Sequence, residues 1–522
     1  MKKTMKMALA SVMLGSALAG CSSGGNDPAV SEKPAGQTQG NASSEGGKEN
    51  GSAAKEKNSF TMLVESHPNW PYDKEWVIWD LIEENTGASF EVTTPSGKLD
   101  DTINLTISSG TMPDVMFMGN RDMANKYGQQ GALVNILDYT DRMPNFAKWL
   151  EQYPEVAQSQ LAADGKMYMF PNEGFGETNR QIWIHRDDVF QKHGLKSPET
   201  FDELLEVLRA LKKEYPDSYP FTFRFGPNLG ILKNLAAHFG IHDTYYMDNG
   251  EIKYGPIEDN YKKMLEYLST MYKEGLIPPD WLTVDTKKWQ DMLSTNKAFV
   301  TVDYIGRVDF FNLAMRAEMP EYTMKFMAPP IGLPDGEALN YNGHVVNSGL
   351  TVASTSKKIE SFMKVMDFFY SEEGRVMSSW GKEGETFKSE SGQKQFLGDY
   401  KEITELRKST GLATNGTYTW IDYDAHLSLA SDELKGAYEG ARQYDAPYRP
   451  KAELNEQELE VNTTVGEQIQ KYQQENVTKF ILGDKDFSEW EGYVEGLKKL
   501  GLEQMMDIQK AAFERAKNVS LK

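Results

Sequence analysis

Planar polar side chains set beside aromatic ones, in segments read as loops after strands, are the chemistry this chain offers. His67, Asn69, Trp70 and Tyr72 follow the apolar run Phe60–Val64, and Pro68 and Pro71 stiffen the backbone that displays Trp70. Arg224 and Phe225 stand beside a Gly-Pro turn, while Trp380 and Trp420 fall in segments read as loops. Asp, Glu, Asn and Arg can engage neighbouring hydroxyls in pairs, and Trp or Tyr faces accept C–H surfaces. Together they suit a sugar. Trp183, in Gln181-Ile-Trp-Ile184, alternates with Ile182 and reads as a core residue.

Reactive chemistry is poorly supplied. His238 and His242 are four apart, but Gly240 lies between them and no carboxylate completes a helical zinc pattern. The sequence has no G-x-S-x-G, no Walker A and no G-x-G-x-x-G, and no metal or cofactor is expected. With 77 acidic residues, a glycosidase carboxylate pair stays open on counting alone. A surface-anchored carbohydrate-active lyase or hydrolase is therefore the alternative to a binding protein. The net charge of −21 argues against nucleic acid or an anionic membrane surface as partner.

The elements that must position these residues begin after an unusual amino terminus. Lys2, Lys3 and Lys6 precede the apolar run Met7–Ala19, which ends at Gly20 before Cys21, the one cysteine in 522 residues. This resembles the bacterial lipobox, which implies a signal peptide over 1–20 and a diacylated Cys21 at the mature amino terminus. Residues 21–58 are rich in Gly, Ser, Asn, Glu and Lys and read as a flexible tether with a reach of about 35 Å. From Phe60 the pattern becomes strand, helix, strand, helix, strand, an α/β signature. Strands are expected at Phe60–Val64, Phe90–Val92, Asp114–Met118, Met167–Phe170, Gln181–Ile184, Ala298–Val302 and Val345–Ala353. Helices are expected at Asp73–Glu84, Asp101–Ser109, Asn260–Glu274, Thr286–Thr295 and Lys357–Tyr370. A capping box at Thr200-Phe-Asp-Glu203 opens another, and the tail from Asn455 to Lys517 is largely helical.

Several segments carry a family resemblance by their order: Pro113-Asp-Val-Met-Phe117, Gly131-Ala-Leu-Val-Asn-Ile-Leu137, Asp164-Gly-Lys-Met-Tyr-Met-Phe-Pro171, Ile182-Trp-Ile-His-Arg-Asp187, Ser197-Pro-Glu-Thr-Phe201, Gly275-Leu-Ile-Pro-Pro279 and Phe299-Val-Thr-Val-Asp303. The chain resembles the extracellular solute-binding lipoproteins of carbohydrate ABC importers, in particular the large Gram-positive members that bind oligosaccharides. The resemblance implies a two-lobe α/β fold of the periplasmic-binding-protein type II class, with hinge crossings and a helical C-terminal extension. Laid onto this chain, it places lobe 1 at 59–172 and 344–400, and lobe 2 at 173–343 with helices over 401–522. It further implies a carbohydrate ligand, membrane permease subunits as partners, a monomer, and a location on the extracellular face of the cell membrane through the lipid anchor. Ligand contacts would come from Asn120 and Arg121 after the third strand, and from Glu177, Asn179 and Arg180 at the hinge. Asp303, Tyr304 and Arg307 would follow a strand that relatives use to present an aromatic. One departure stands out. Many relatives carry an Asp/Asn-rich calcium loop where this chain reads Glu214-Tyr-Pro-Asp-Ser-Tyr-Pro220, too poor in oxygen ligands for a calcium cage.

Overall fold

A computed structural model describes residues 58–172, 180–224, 230–341, 346–447 and 451–518. The expected signal peptide, the expected tether up to residue 57, and residues 173–179 at the expected first hinge crossing lie outside these residues. Three parallel strands open the first lobe: β1 (Asn58–Leu63), β2 (Ala88–Thr93) and β3 (Val115–Met118). The chain then enters a second lobe with β4 (Gln181–Arg186), the hairpin β5 (Tyr245–Asp248) and β6 (Glu251–Tyr254), β7 (Val300–Tyr304) and β8 (Met324–Met327). It returns to lay β9 (Gly349–Val352) antiparallel to β3, and a small hairpin, β10 (Phe387–Glu390) with β11 (Gln393–Phe396), follows. The first sheet runs β2-β1-β3-β9 and the second β7-β4-β8.

Strand β3 is apolar at every position because both its faces are covered. Val115 and Phe117 join the core with Phe60, Met62, Trp149 and Phe362, while Met116 and Met118 point to the opposite face with Leu63, Ile103 and Tyr168. The same alternation splits β4, where Trp183 packs with Phe201, Phe221 and Leu208, and Ile182 and Ile184 pack with Trp289 and Phe311. Trp183 is a core residue, as its alternation predicts. Helices Val77–Thr86, Asp259–Lys273, Thr286–Ser294 and Ile359–Phe369 fall within a few residues of their expected ranges. Thr200 Oγ1 accepts from the Glu203 N–H at 3.2 Å, so the cap opens Phe201–Glu214 as read.

Three expectations are corrected. Met167–Phe170 forms no strand. These buried residues make isolated backbone bonds, such as Phe170 N–H to Leu350 O at 2.9 Å, without a ladder. The strand expected over Val345–Ala353 is only Gly349–Val352, because the preceding residues serve the crossing between lobes: Val346 pairs with Asn172, and Asn347 O accepts from Arg121 N–H at 3.0 Å. Finally, residues 401–425 pack with the first lobe and not the second. Leu406, Leu412, Trp420 and Ala425 pack in the first core, and the second lobe resumes at Ala430, Leu434 and Tyr438. Helix Glu467–Leu482 and those after it complete that lobe.

The chain therefore passes between lobes three times, and the crossings are laced together. The Asn172 amide nitrogen reaches the Tyr418 and Thr419 carbonyls at 3.0 and 2.9 Å once its side chain is oriented to donate. On the other side Asn340 pairs with Asp445, and Arg180 Nε and Nη2 donate to the two Asp445 carboxylate oxygens at 2.7 and 2.6 Å.

Candidate ligand cleft

Loops at the carboxyl ends of β1 and β3 face the second lobe across a cavity of about 910 Å³. The first lobe contributes Glu65, Ser66, Asn120 and Asp122, and the second contributes Lys233, Asp243, Tyr245 and Lys451. A second cavity of about 410 Å³ adjoins it, sharing Asp122, Asp243, Tyr245 and Lys451. Charges in the cleft answer one another. Asp122 and Lys451 form an ion pair between the walls, and although burial opposes it, Lys451 holds the Asp122 carboxyl below its ordinary range. Burial also opposes the Lys233 ammonium, but Tyr341 and Asp243 raise its pKa overall. Asp243 is pushed up by burial, with Lys233 pulling the other way. Burial likewise raises Glu65, against a hydrogen bond from Asn415 Nδ2 at 3.0 Å.

The loop after β1 is a built platform. Ser66 Oγ accepts from Tyr72 N–H at 3.1 Å, and His67 Nδ1 accepts from Asn69 N–H at 3.2 Å. The His67 and Trp70 rings stack with centres 3.6 Å apart and 10° between planes. The Arg407 guanidinium, from helix Ile403–Thr410, lies 4.8 Å from the Trp70 ring centre. Burial, then the fields of Arg407, Arg307 and Arg224, lower the His67 pKa to about 4, so the ring is neutral near pH 7.

In the second lobe the turn after β7 carries a matching group. Arg224 Nε and Nη2 donate to Asp303 Oδ2 and Oδ1 at 2.6 and 2.8 Å, and Arg307 Nε donates to Asp303 Oδ1 at 3.1 Å. Both guanidiniums lie over the buried Trp289 ring, at 5.0 and 5.8 Å. Tyr304, beside them, has its pKa raised by burial and by Asp303.

The structure thus clusters Arg224, Asp303, Tyr304 and Arg307, with the His67–Trp70 stack within reach of the Arg224 and Arg307 fields, while Asn120 lines the larger cavity. Asn120 also caps helix Arg121–Gln129, its Oδ1 accepting from Asp122 N–H at 2.9 Å. Other candidates are placed elsewhere. Arg121 is buried, donates to the Ser159 carbonyl, and pairs with Glu453 at 2.9 Å. Arg180 is the hinge partner of Asp445. Trp380 is a core side chain 1% exposed, not a loop aromatic: it ends helix Glu372–Trp380, stacks on Phe396 at 4.7 Å, and donates Nε1–H to Asp422 at 2.9 Å. Trp420 packs in the first core against Tyr153, with Arg375 4.9 Å from its ring. Glu177, Asn179 and Phe225 lie outside the described residues. Sequence reasoning missed Arg407, Lys233, Asp243, Tyr245 and Lys451. Lys233 alone leaves a trace, as a charge interrupting the apolar run from Ile231 to Phe239.

His238 is an interior residue whose Nε2 accepts from Trp183 Nε1–H at 2.9 Å, and burial lowers its pKa to about 3. His242 stacks on Tyr246 at 4.9 Å. Among the described residues no group of three His, Cys, Asp or Glu side chains is placed to hold a metal ion. No described helix is long and apolar enough to cross a membrane.

Two hinged α/β lobes around a polar cleft define a class of protein that captures solutes. The chain belongs to the bacterial extracellular solute-binding protein family, whose model matches residues 72–376. It is 24% identical over 503 residues to the fructooligosaccharide ABC transporter substrate-binding protein FusA of Streptococcus pneumoniae, covering 88% of this chain and 91% of that one. To the polygalacturonan/rhamnogalacturonan-binding protein YtcQ of Bacillus subtilis it is 23% identical over 519 residues, covering 97% of each. Among solved structures, the alginate-binding protein AlgQ2 without calcium ion superimposes with a TM-score of 0.74 at 22% identity, over 88% of this chain and 99% of that one. All three relatives are named as binding proteins, FusA as that of an ABC transporter, and they lend no support to the lyase or hydrolase alternative.

Proposed function

We propose that this chain is the lipid-anchored substrate-binding protein of an ABC importer, closing its two lobes around an oligosaccharide and delivering it unaltered to a membrane permease. The observation that carries this reading is the cleft itself. It is lined from both lobes by charged and polar side chains, Asp122 and Lys451 pair across it, and laced crossings stand at its hinge. FusA and YtcQ, similar along most of their length, are named for fructooligosaccharide and for polygalacturonan and rhamnogalacturonan.

The energetics are adequate. Shifting open and closed forms from 1:99 to 99:1 takes about 5.5 kcal/mol of differential affinity, and a micromolar dissociation constant corresponds to about 8 kcal/mol. The chain supplies positioning and no bond-breaking step. Calorimetric titration of the purified protein with a glycan panel tests the reading. A saturable one-to-one complex with intact ligand recovered is expected, and Asn120→Ala weakens it at least about tenfold by removing an amide that lines the cavity. Products in the recovered ligand, or no binding across the panel, would overturn it.

A further inference from the structure

The smaller cavity, of about 410 Å³, is walled mainly by helices rather than by loops at strand ends. Helix Arg121–Gln129 of the first lobe forms one side, and helix Glu467–Leu482 of the second lobe forms another. The segment 451–454 lines it too, and receives the first lobe through Glu453 and the Leu454 carbonyl. Both lobes are therefore needed to enclose the space. Asp122, Asp243, Tyr245, Lys451 and Gln509 line this chamber and the main cleft alike, so they border a neck that joins the two.

The lining is rich in side-chain amides. Gln470, Gln473 and Gln474 stand at helical spacing on one face, and Asn125, Gln129 and Gln509 come from helices Arg121–Gln129 and Leu502–Ala516. Gln473 Nε2 donates to Tyr261 Oη and Gln129 Nε2 to the Leu454 carbonyl, each at 3.2 Å, which leaves their oxygens to accept. Asn125 is 3% exposed; Glu453 holds its nitrogen at 2.8 Å, while its Oδ1 has no hydrogen-bond partner among the described residues. The buried Tyr245 Oη, at the neck, likewise has none. An amide donates at its nitrogen and accepts at its oxygen, which suits sugar hydroxyls that do both. The charged groups are largely answered already, Asp122 by Lys451 and Glu453 by Arg121. The backbone is also unusual here. A π-helical turn, Asn462–Gly466, interrupts the helix that runs into Glu467–Leu482, and both Asn462 and Gly466 line the chamber. Such turns frequently stand at functional sites. The volume falls within the roughly 300–1,000 Å³ of small-molecule sites.

We propose that this helical chamber is a second saccharide subsite, entered from the main cleft through the neck, so that a captured chain of sufficient length ends among its amides. This rests on the oligosaccharide reading above and adds where the chain leads. Because both lobes enclose the chamber, a chain that reaches it favours the closed form more than one confined to the cleft.

The unmodified protein is titrated calorimetrically with size-graded fructo-oligosaccharides and oligogalacturonates, from the disaccharide upward. Affinity is expected to rise at least about tenfold from the shortest to the longest member of a series that binds, as added units fill the chamber. Gln474→Trp, which occupies the space, and the pair Gln470→Ala with Gln474→Ala, which removes amides from it, should each cut that long-to-short ratio several-fold. The ratio is read within each variant, so a loss of folded protein lowers the binding stoichiometry and leaves the ratio interpretable. A ratio that either variant leaves unchanged, or no gain with length in the unmodified protein, overturns the subsite and leaves the oligosaccharide reading standing. Silence across both series overturns both.

Discussion

Arg121 shows how a residue well typed for ligand contact is claimed by the protein itself. Its guanidinium is almost wholly buried, and Glu453 takes its charge while Asn125 Nδ2 donates to the second Glu453 oxygen at 2.8 Å. The histidines make the converse point, since burial rather than a ligand sets their chemistry. His238 and His426 are both lowered to about 3 by burial, and His67 to about 4. Each is neutral in the folded protein and takes up a proton near pH 6.5 when unfolded. Their contribution to stability is therefore complete above pH 6.5 and is lost as the pH falls toward 4 and then 3. Melting temperatures measured from pH 7 to pH 4 should fall steadily. His238→Gln, which keeps an acceptor for the Trp183 indole, should flatten part of that slope. An unchanged slope would mean that His238 is not a source of the acid sensitivity.

At the scale of elements, the loop at Glu214–Pro220 is held by lysine side chains. Lys212 Nζ donates to the Ser218 carbonyl at 2.6 Å and lies 4.9 Å from the Tyr219 ring, and Lys297 Nζ donates to the Asp217 carbonyl at 3.4 Å. Side-chain ammonium groups thus meet loop carbonyls. Lys212→Met should lower stability by about 1–3 kcal/mol in urea titration, because Ser218 is buried and its carbonyl loses a charged donor. EDTA should leave the melting temperature of the unmodified protein unchanged, and a fall of several degrees would reinstate a bound metal. Elements with strong local periodicity were legible in the sequence to within a few residues: β3, helix Ile359–Phe369 and the Thr200 cap. Met167–Phe170 misled because burial on both sides produces an apolar run whether or not a neighbouring strand completes a ladder. The cleft was half legible. Asn120 follows β3 and Asp303 stands at the end of β7, near the strand ends where topology puts ligands, and Trp70 is in the loop after β1. Arg407 comes from the segment between the second and third crossings and Lys451 from the one after the third, and Arg121 and Glu453 meet across 332 residues, which no local pattern encodes.

For the whole molecule, the Glu453 segment ties the lobes together beyond the hinge. Ala452 and Leu454 pack with Phe513 and the β5–β6 hairpin residues Met247 and Ile252. Glu453 and the Leu454 carbonyl meanwhile receive Arg121, Asn125 and Gln129 from the first lobe. Removing one partner of a buried ion pair costs about 3–5 kcal/mol if the other stays buried, and opening the lobes lets Arg121 reach water instead. Glu453→Ala should therefore increase the radius of gyration of the ligand-free protein in small-angle scattering and weaken glycan binding in proportion to the closed population lost. An identical scattering profile would show that this contact does not hold the lobes. Cys21→Ser should release the protein into the medium, and retention at the membrane would refute the lipid anchor.

The three passages between lobes also govern how the chain can be assembled. The first sheet lacks its β9 edge until residue 352, and its core still needs Trp420 and Ala425, while the second lobe waits for Trp490 and Met505. Neither half is a contiguous cassette. A chain threaded outward through a translocation pore from its amino terminus could finish neither half before nearly all of it had emerged, so shortened or spliced halves should be degraded rather than stored as working parts.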